Sequence, residues 1–220
     1  MTENDLEGAT GDKDLAARLS ELGCAALVDA MGRIHDHRAH ILPMVSPDPV
    51  RPLFGPAATI AYMPRRDDVK KSSEGFADLF YQAVGEFPAG RVLVLSSGGY
   101  PDASHGGGTK LSRVAHRGLS GVLADGRLRD FAQLREQGFS TWCRGESNRW
   151  GGDIVMPYAA NVAIEFAGVC ITPGDYMYAD SSGAVVIPSQ SLHRVLEIAQ
   201  MVEDEDSYFL KEIQAEGMPS

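Results

Sequence analysis

An arginine and an aspartate stand side by side at the end of an apolar run, in the segment GVLADGRLRD at residues 121–130. The run GVLA predicts a buried strand, and ligands of α/β proteins gather where such strands end. A carboxylate there can bind a divalent cation and a guanidinium can bind an anion, which gives Arg129 and Asp130 a chemical interpretation. Two simpler interpretations stand beside it: Asp130 as the N-cap of the following helix, or the two residues as a surface ion pair.

A glycine-rich loop forms a second strand-to-helix junction, in VLVLSSGGYPDASHGGGTKLSR at residues 92–113. The consecutive glycines Gly106 to Gly108 would let the backbone approach a ligand closely, and a helix opening near Thr109 would point N–H groups at an anion. A flexible connection without a ligand is the alternative. Two known phosphate-binding loops are excluded. Leu111 stands where a P-loop requires Ser or Thr after Lys110, and where a dinucleotide loop requires its third glycine.

The elements that must hold these two junctions alternate between helix and strand and end in a strand-rich stretch. Apolar residues at helical spacing predict a first helix from Asp14, and glycine and proline signals end several later ones. We predict further helices at 68–90, 109–118, 131–138 and 189–216, and strands at 57–64, 91–97, 121–125 and three within 162–188. The pattern is typical of a single mixed α/β domain at residues 13–220, preceded by a flexible polar tail at residues 1–12.

Composition and charge limit the classes of function. The chain has 220 residues, 44% of them hydrophobic, and a formal net charge of −10. Because a phosphate backbone would repel such a chain, nucleic acid is not expected as a partner. Three isolated cysteines argue against a disulfide framework or a zinc site. The polar N-terminus lacks the apolar core of a signal peptide, and no run approaches the roughly 20 apolar residues of a membrane span. We therefore expect a soluble, cytoplasmic protein with no membrane partner.

The motif DGRLRD at residues 125–130 resembles the DGxxRD signature of the RraA-like family. That family includes 4-hydroxy-4-methyl-2-oxoglutarate and 4-carboxy-4-hydroxy-2-oxoadipate aldolases and the regulator of ribonuclease activity A. Further matches follow in the family's order: LVDAMGR at 27–33, GPAATI at 55–60, GFSTWCRG at 138–145 and PGDYMYADSSGAVVIP at 173–188. The resemblance implies an α/β fold of stacked β-sheets with flanking helices, similar to a swivelling β/β/α domain. It also implies a homotrimer or hexamer with sites at subunit contacts.

Carried over to the matching positions, the resemblance implies a role for each residue of the two junctions. Asp130 would be the direct protein ligand of a divalent metal, Mg²⁺ or Mn²⁺, with waters in the remaining positions. Arg129 would contact the substrate, and the loop formed by Gly107, Gly108, Thr109 and Lys110 would bind the substrate carboxylate through backbone N–H groups. Gly107 precedes Arg129 by 22 residues, which is the family's spacing.

One position departs from the aldolase pattern. The aldolases carry a glutamate directly after the loop glycine, where it helps to hold metal-bound water, and this chain has Gly108 there. Asp102, His105 or Glu205 of a neighbouring C-terminal helix could compensate, although a loop histidine bonded to backbone is the simpler interpretation of His105. The regulator branch lacks the metal-binding aspartate, so the presence of Asp130 favours an enzyme.

The function that this resemblance implies is that of a metal-dependent lyase, either a class II aldolase or a decarboxylase. A 4-hydroxy-2-oxo acid or oxaloacetate would chelate the metal, and the metal and Arg129 would stabilise the enolate oxygen while pyruvate is released. Two alternatives stay open. One is a non-catalytic regulator of ribonuclease activity that acts by protein–protein binding. The other is a Schiff-base aldolase that uses Lys110.

Overall fold

The computed structural model of the protein describes residues 3–69 and 75–216. The helices in that part of the chain are α1 (Glu3–Ile34), α2 (Phe76–Val84), α3 (Gly108–His116), α4 (Phe131–Glu136) and α5 (Leu192–Ala215), with a 3₁₀ turn at Ser189–Ser191. The strands are β1 (His40–Ile41), β2 (Leu53–Pro64), β3 (Val92–Leu95), β4 (Ser104–Gly106), β5 (Gly121–Ala124), β6 (Arg127–Leu128), β7 (Ser140–Cys143), β8 (Val155–Ala160), β9 (Ile164–Phe166), β10 (Val169–Ile171), β11 (Tyr176–Asp180) and β12 (Gly183–Ile187).

Strand β2 is the centre of an eight-stranded sheet with the order β1-β12-β11-β2-β3-β5-β7, in which β8 also pairs with β2. The first part of β2, from Leu53 to Pro56, pairs antiparallel with β11, and the part from Ala57 to Ile60 pairs parallel with β3. The last part, from Ile60 to Pro64, pairs antiparallel with β8. Because β3, β5 and β7 continue the parallel part, the carboxyl ends of β3 and β5 lie side by side.

Helices and a hairpin bury both faces of the parallel strands, which explains why their sequences are apolar without alternation. In β3, Leu93 and Leu95 belong to the buried cluster that also contains residues of α2, α3 and α4. Val92 and Val94 belong to a second cluster with residues of β9 and β10. A third cluster joins α1 and α5 to β11 and β12. The two junctions singled out in the sequence therefore start from the most buried strands of the molecule.

Helix α1 is interrupted at Gly23, whose φ of 71° and ψ of 171° are not helical. The second helical segment starts directly after it, and the carboxylate of Asp180 in β11 accepts a hydrogen bond of 2.9 Å from the N–H of Cys24. Burial, with a smaller contribution from Asp180, raises the pKa of the Cys24 thiol to about 12. The thiol therefore stays protonated, and Cys24 belongs to the buried cluster that joins α1 and α5 to β11 and β12.

The predicted α/β class with flanking helices is confirmed, and the first helix is longer than we predicted. It begins at Glu3 instead of Asp14, because the sequence before Asp14 is mostly polar and has too few apolar residues for a helix to be predicted from their spacing. The proposed division at residue 12 into a polar tail and a domain stays a prediction, and α1 runs across it.

Other segments also differ from the sequence prediction, including β7 and β8, which lie where no strand was predicted. The stretch 162–188 holds four strands where we predicted three, since the short β9–β10 hairpin turns within a run that looks continuous in sequence. The helix predicted at 68–90 is the shorter α2, and residues 70–74 of that prediction lie outside the described residues. Within residues 3–69 and 75–216, none of the helices combines the length and the apolar character needed to cross a membrane.

A test of this packing compares two glycines. A Cβ atom at Gly121 in β5 would lie 2.1 Å from the carbonyl oxygen of Ser140 in β7, so Gly121→Ala forces two paired strands apart. We expect a loss of about 1–3 kcal/mol in the free energy of unfolding, measured by urea denaturation. Gly32→Ala is the control, because nothing lies within 4 Å of a Cβ there. As a Gly-to-Ala change inside a helix, it should gain up to about 1 kcal/mol. Equal effects of both changes would contradict the packing described.

Candidate active site

A short parallel ribbon of β4 and β6 joins the glycine-rich loop to the segment DGRLRD. The ribbon pairs Ser104 with Arg127 and Gly106 with Leu128, and the N–H of Arg129 donates a hydrogen bond of 2.9 Å to the carbonyl of Gly106. The loop and the segment follow the neighbouring strands β3 and β5, so they begin close together. The pairing of β4 with β6 then keeps the glycine-rich loop and the segment DGRLRD side by side in a fixed register.

A cleft of about 440 Å³ lies at the end of this ribbon. Its lining includes the predicted site residues Gly107, Thr109, Lys110, Arg129 and Asp130. Gly108 is buried beside the cleft at the start of α3. The structure therefore brings the two predicted junctions together, at positions 22 residues apart in sequence.

The Asp130 side chain does not cap α4, although Asp130 is the residue directly before the helix. Its backbone has the left-handed values φ 62° and ψ 46°, and its side chain makes no capping hydrogen bond. The carboxylate of Glu146 accepts the hydrogen bond of the Phe131 N–H instead, at 2.9 Å. Asp130 Oδ2 accepts a hydrogen bond of 3.1 Å from the N–H of Gly108. The N-cap interpretation is therefore wrong, and the carboxylate is turned toward the glycine loop.

At both loop glycines, neighbouring side chains occupy the space that a Cβ atom would take, so a larger residue there would require those side chains to move. A Cβ at Gly107 would lie 2.5 Å from Asp130 Oδ2, and a Cβ at Gly108 would lie 2.0 Å from Gln133 Oε1. The Gln137 side chain also donates a hydrogen bond of 3.0 Å to the Gly108 carbonyl. The glutamate of the aldolase pattern would require Gln133 to move, which gives a physical reason for the departure at position 108.

Arg129 and Asp130 do not form an ion pair with each other. Both residues are exposed at the cleft, and the seven ion pairs among the described residues include neither of them. The surface-pair interpretation is therefore wrong for these two side chains. By contrast, Asp125 at the start of the motif is buried and accepts two hydrogen bonds from Arg144, at 2.9 and 2.6 Å. Asp125 anchors the segment and Asp130 faces the cleft.

Lys110 lies inside the cleft wall instead of reaching into water. Its ammonium group donates a hydrogen bond of 3.0 Å to the carbonyl of His105 and lies 4.7 Å from the centre of the Phe76 ring. Burial lowers the pKa of Lys110, and the positive charges of Arg129 and Arg113 lower it further. Among the described residues that line the cleft, three cations thus stand against the one carboxylate of Asp130, an arrangement that favours an anionic ligand.

His105 supports the cleft through backbone contacts. Its Nδ1 lies 2.9 Å from the Ala103 carbonyl and its Nε2 lies 3.0 Å from the Ser97 carbonyl. Its ring packs so closely on Gly126 that a Cβ there would lie 1.9 Å from Nδ1. The interpretation of His105 as a backbone-bonded loop histidine is confirmed, and the glycine of DGRLRD is explained by this contact.

The other two candidates for replacing the glutamate are engaged elsewhere in the chain. Asp102 pairs with Arg127 at 3.2 Å, and Glu205 pairs with Arg33 at 2.7 Å where α5 packs on α1. Neither side chain lines the cleft of its own chain.

Comparison with known proteins places this site in a family. A profile described as RraA-like, Aldolase/RraA, matches residues 24–186. The chain belongs to the RraA-like family.

Relatives of this RraA-like chain include two proteins named as aldolases and one with another name. It is 30% identical over 147 residues to an Albidiferax ferrireducens protein named "Putative 4-hydroxy-4-methyl-2-oxoglutarate aldolase", covering 62% of this chain and 77% of that protein. A Halalkalibacterium halodurans protein of the same name is 27% identical over 88% of this chain and 85% of its own length. Protein DlpA of Legionella pneumophila is 28% identical over 66% of this chain, and the match spans only 23% of DlpA.

Solved structures share the fold over most of the RraA-like chain. Streptomyces coelicolor RraAS2, described as an unusual member of the RNase ES inhibitor RraA protein family, superimposes with a TM-score of 0.78 at 25% identity, covering 90% of this chain and 98% of that one. An uncharacterised Pseudomonas syringae protein gives a TM-score of 0.77 at 24% identity, with 94% and 91% covered. The second likeness shows the fold alone.

The donor set of this RraA-like site fits a hard divalent cation that keeps most of its water. Among the described residues no cluster of three or more His, Cys, Asp or Glu side chains could enclose an ion. Asp130 offers one carboxylate at the cleft, in a place where a Cβ at position 107 would crowd it. Mg²⁺ is commonly bound through one or two carboxylates plus waters and substrate oxygens. Asp130 would be the protein ligand of such an ion.

Sequence reasoning did not identify four residues of the site. Arg113 follows Lys110 by one helical turn and lines the cleft, and the exposed Trp150 lines its opposite wall. Glu146 caps α4, and Gln133 fills the space beside Gly108. The i, i+3 spacing of Lys110 and Arg113 was the one usable signal, since both side chains lie on one face of α3.

The buried histidine gives a pH prediction. Burial lowers the pKa of His105 below its ordinary 6.5, and the carbonyls of Ser97 and Ala103 oppose that shift less strongly. Protonation therefore favours the unfolded chain, so stability present above about pH 6.5 should fall as the pH decreases through the lowered pKa. His105→Gln should flatten this decline by up to about 1.4 kcal/mol per pH unit, measured by urea denaturation between pH 7 and pH 5.

The control for this experiment is His116→Gln, because His116 is exposed on α3. It should leave the pH dependence of wild type unchanged. A decline in His105→Gln as steep as that of wild type would show that this histidine does not carry the effect.

Proposed function

We propose that the chain is a divalent-metal-dependent lyase that releases pyruvate from a 4-hydroxy-2-oxo acid or from oxaloacetate. The observation that carries the proposal is the position of Asp130. Its carboxylate is withdrawn from the helix that follows and hydrogen-bonded to the glycine loop, beside Arg129 at the cleft. The aldolase names of the two relatives point in the same direction.

The glycine loop supplies the binding site for the substrate carboxylate in this proposal. The N–H groups of Thr109 and Lys110 lie in the first turn of α3 and have no hydrogen-bond partner among the described residues. These groups and the positive end of the helix dipole face an opening that also holds three cationic side chains. A carboxylate bound there places the adjoining keto group near Arg129 and Asp130.

Arg129 then stabilises the charge that develops on the keto oxygen when the bond beyond C3 breaks. Its guanidinium is exposed to the cleft and is not neutralised by Asp130, so its full charge is available to the substrate. A divalent cation held by Asp130 would supply Lewis-acid polarisation of the keto group. The Gly108 N–H orients the Asp130 carboxylate, and the left-handed backbone at Asp130 keeps it aimed at the cleft.

We also propose that the molecule works as a homotrimer or hexamer. The last helix, α5, exposes a run of large apolar side chains, namely Met201, Tyr208, Phe209, Leu210 and Ile213. A second copy of the chain would bury such a surface. A cytoplasmic location is part of the same proposal.

Asp130→Asn tests the metal proposal directly. The amide oxygen can still accept the Gly108 hydrogen bond, so the loop should keep its structure while the anionic oxygen is lost. We expect pyruvate release to collapse and Mg²⁺ or Mn²⁺ affinity, measured by calorimetry, to fall at least ~10-fold. The control is Asp102→Asn, which removes an exposed carboxylate outside the cleft. Equal metal affinity in wild type and Asp130→Asn, with a borohydride-reducible adduct at Lys110, would favour the Schiff-base mechanism instead.

Arg129→Lys tests the role of the guanidinium. Lysine keeps the charge but loses the planar fork that pairs with a carboxylate or an enolate. We expect metal affinity to stay within about twofold while kcat falls by ~10²-fold, the scale of losing one preorganised oxyanion donor. Arg127→Lys is the matched control, because Arg127 lies two residues earlier and pairs with Asp102 outside the cleft. A normal kcat in Arg129→Lys would remove this arginine from the chemistry.

A further inference from the structure

The ammonium group of Lys110 lies at the N-terminal end of α3, although the residue itself belongs to the first turn of that helix. Side chains of a helix lean toward its N-terminus. This one runs back past the start of the helix to β4, where Nζ donates a hydrogen bond of 3.0 Å to the carbonyl of His105. The free N–H groups at the start of a helix point out of the same end. The ammonium group therefore stands on the side of α3 where the proposed function places the substrate carboxylate.

No carboxylate among the described residues neutralises this ammonium group. The ion pairs of residues 3–69 and 75–216 do not include Lys110. Its second contact is the face of the Phe76 ring, whose centre lies 4.7 Å from Nζ. The His105 carbonyl uses one N–H of the ammonium group, and the others have no hydrogen-bond partner among the described residues. Burial and nearby guanidinium groups lower the pKa of Lys110, so it gives up a proton more readily than a lysine in water.

Two other titratable groups line the cleft beside Lys110, but both are engaged with the backbone. The Tyr62 hydroxyl donates to the same His105 carbonyl at 3.4 Å, and burial raises the pKa of Tyr62. In the His105 ring, Nδ1 lies 2.9 Å from the Ala103 carbonyl and Nε2 lies 3.0 Å from the Ser97 carbonyl. Neither ring nitrogen is free to meet a ligand in the cleft.

The remaining titratable groups among the described lining residues are Arg113, Arg129 and Asp130. A guanidinium group stays protonated in proteins, so the two arginines do not exchange protons with a substrate. The Asp130 carboxylate accepts the hydrogen bond of the Gly108 N–H and is the proposed metal ligand. Within the described part of the cleft wall, Lys110 is thus the side chain suited to give up and regain a proton.

We propose that Lys110 is the catalytic proton donor of the lyase reaction and protonates C3 of the departing pyruvate unit. The inference rests on the proposed lyase activity and assigns a step of it. When the C3–C4 bond breaks, its electron pair enters the C2–C3 double bond of an enolate, and CO₂ or a carbonyl compound leaves. C3 then bonds to a proton from Nζ while the C2 keto group forms again. Lys110 is left as a neutral amine and regains a proton from water. For a 4-hydroxy acid, the hydroxyl proton passes to solvent.

Two reactions of the wild-type protein separate bond breakage from proton transfer at C3. Release of CO₂ from oxaloacetate does not require Lys110, because the enol of pyruvate can leave and take its proton from water. Exchange of the pyruvate methyl protons in D₂O does require it, because the neutral amine must remove a proton from C3 and the ammonium group must return a deuteron. We expect wild type with Mg²⁺ or Mn²⁺ to catalyse both reactions, followed by CO₂ release and by proton NMR.

Lys110→Arg distinguishes proton transfer from a structural or electrostatic role. Arginine can still donate to the His105 carbonyl and stack on the Phe76 ring, but it does not give up its proton. We expect methyl-proton exchange to fall at least ~10²-fold, the scale of losing a general acid–base group. The kcat for CO₂ release should stay within about tenfold of wild type, because a positive charge still stabilises the enolate. Lys211→Arg is the matched control, since Lys211 is exposed on α5, and both rates should equal those of wild type.

Lys110→Met covers the case in which the arginine side chain does not fit the cleft wall. Its loss of methyl-proton exchange should exceed its loss of CO₂ release by at least ~10-fold. Calorimetry with oxalate, a stable analogue of the enolate, checks that the cleft still binds its ligand in each variant. Loss of oxalate binding in both Lys110 variants would show that the lysine acts in binding and would overturn the inference.

The outcomes separate this inference from the lyase proposal. If oxaloacetate loses CO₂ and both Lys110 variants keep the exchange rate of wild type, the inference is wrong and the lyase proposal stands. If exchange depends on Lys110 while neither oxaloacetate nor a 4-hydroxy-2-oxo acid is cleaved, the lyase proposal is wrong and the proton-transfer role stands. Absence of exchange in wild type overturns the inference. A pyruvate adduct on Lys110 after borohydride reduction, located by mass spectrometry, also overturns it in favour of a Schiff base.

Discussion

The site depends on one hydrogen bond, from the N–H of Gly108 to the carboxylate of Asp130. It joins the start of α3 to the residue that follows the ribbon strand β6 by two positions, and a Cβ atom at position 107 would lie 2.5 Å from the same carboxylate oxygen. The placement of Asp130 beside the glycine loop follows from this bond and from the β4–β6 pairing that leads to it. An aspartate free to turn toward its own helix would cap α4 and leave the cleft without a carboxylate. Glu146 prevents this by taking over the capping role.

Much of the candidate site could be predicted from the sequence, because its residues lie in two short motifs at the ends of strongly apolar strands. The runs VLVL and GVLA have the pattern of buried parallel strands, and the motif DGRLRD has a fixed spacing from the glycine loop. Neighbouring parallel strands end at the same edge of a sheet, so the loop and the motif had to meet. The helices α3 and α4 could also be predicted, because each begins at or directly after one of the two motifs.

Other parts of the molecule were not predictable, because they depend on contacts between segments far apart in sequence. Nothing in the local sequence shows that Glu146 caps α4 from 15 residues away, or that Gln133 fills the space beside Gly108. Strands β4 and β6 have only three and two residues, too few for any periodicity.

The division of β2 between partners has a consequence for how such a protein can change over time. The wall strand β8 pairs with the last part of β2, whereas β4 and β6 pair with each other. Substitutions at Val155 and Pro157, the β8 residues that line the cleft, can reshape its wall without shifting the register that positions Asp130. Proteins built on this sheet can therefore differ in the shape of the cleft while keeping the same placement of this carboxylate. Because β2 pairs with β3 and β8 through different segments, the wall of the cleft can change in evolution independently of the strands that lead to the two motifs.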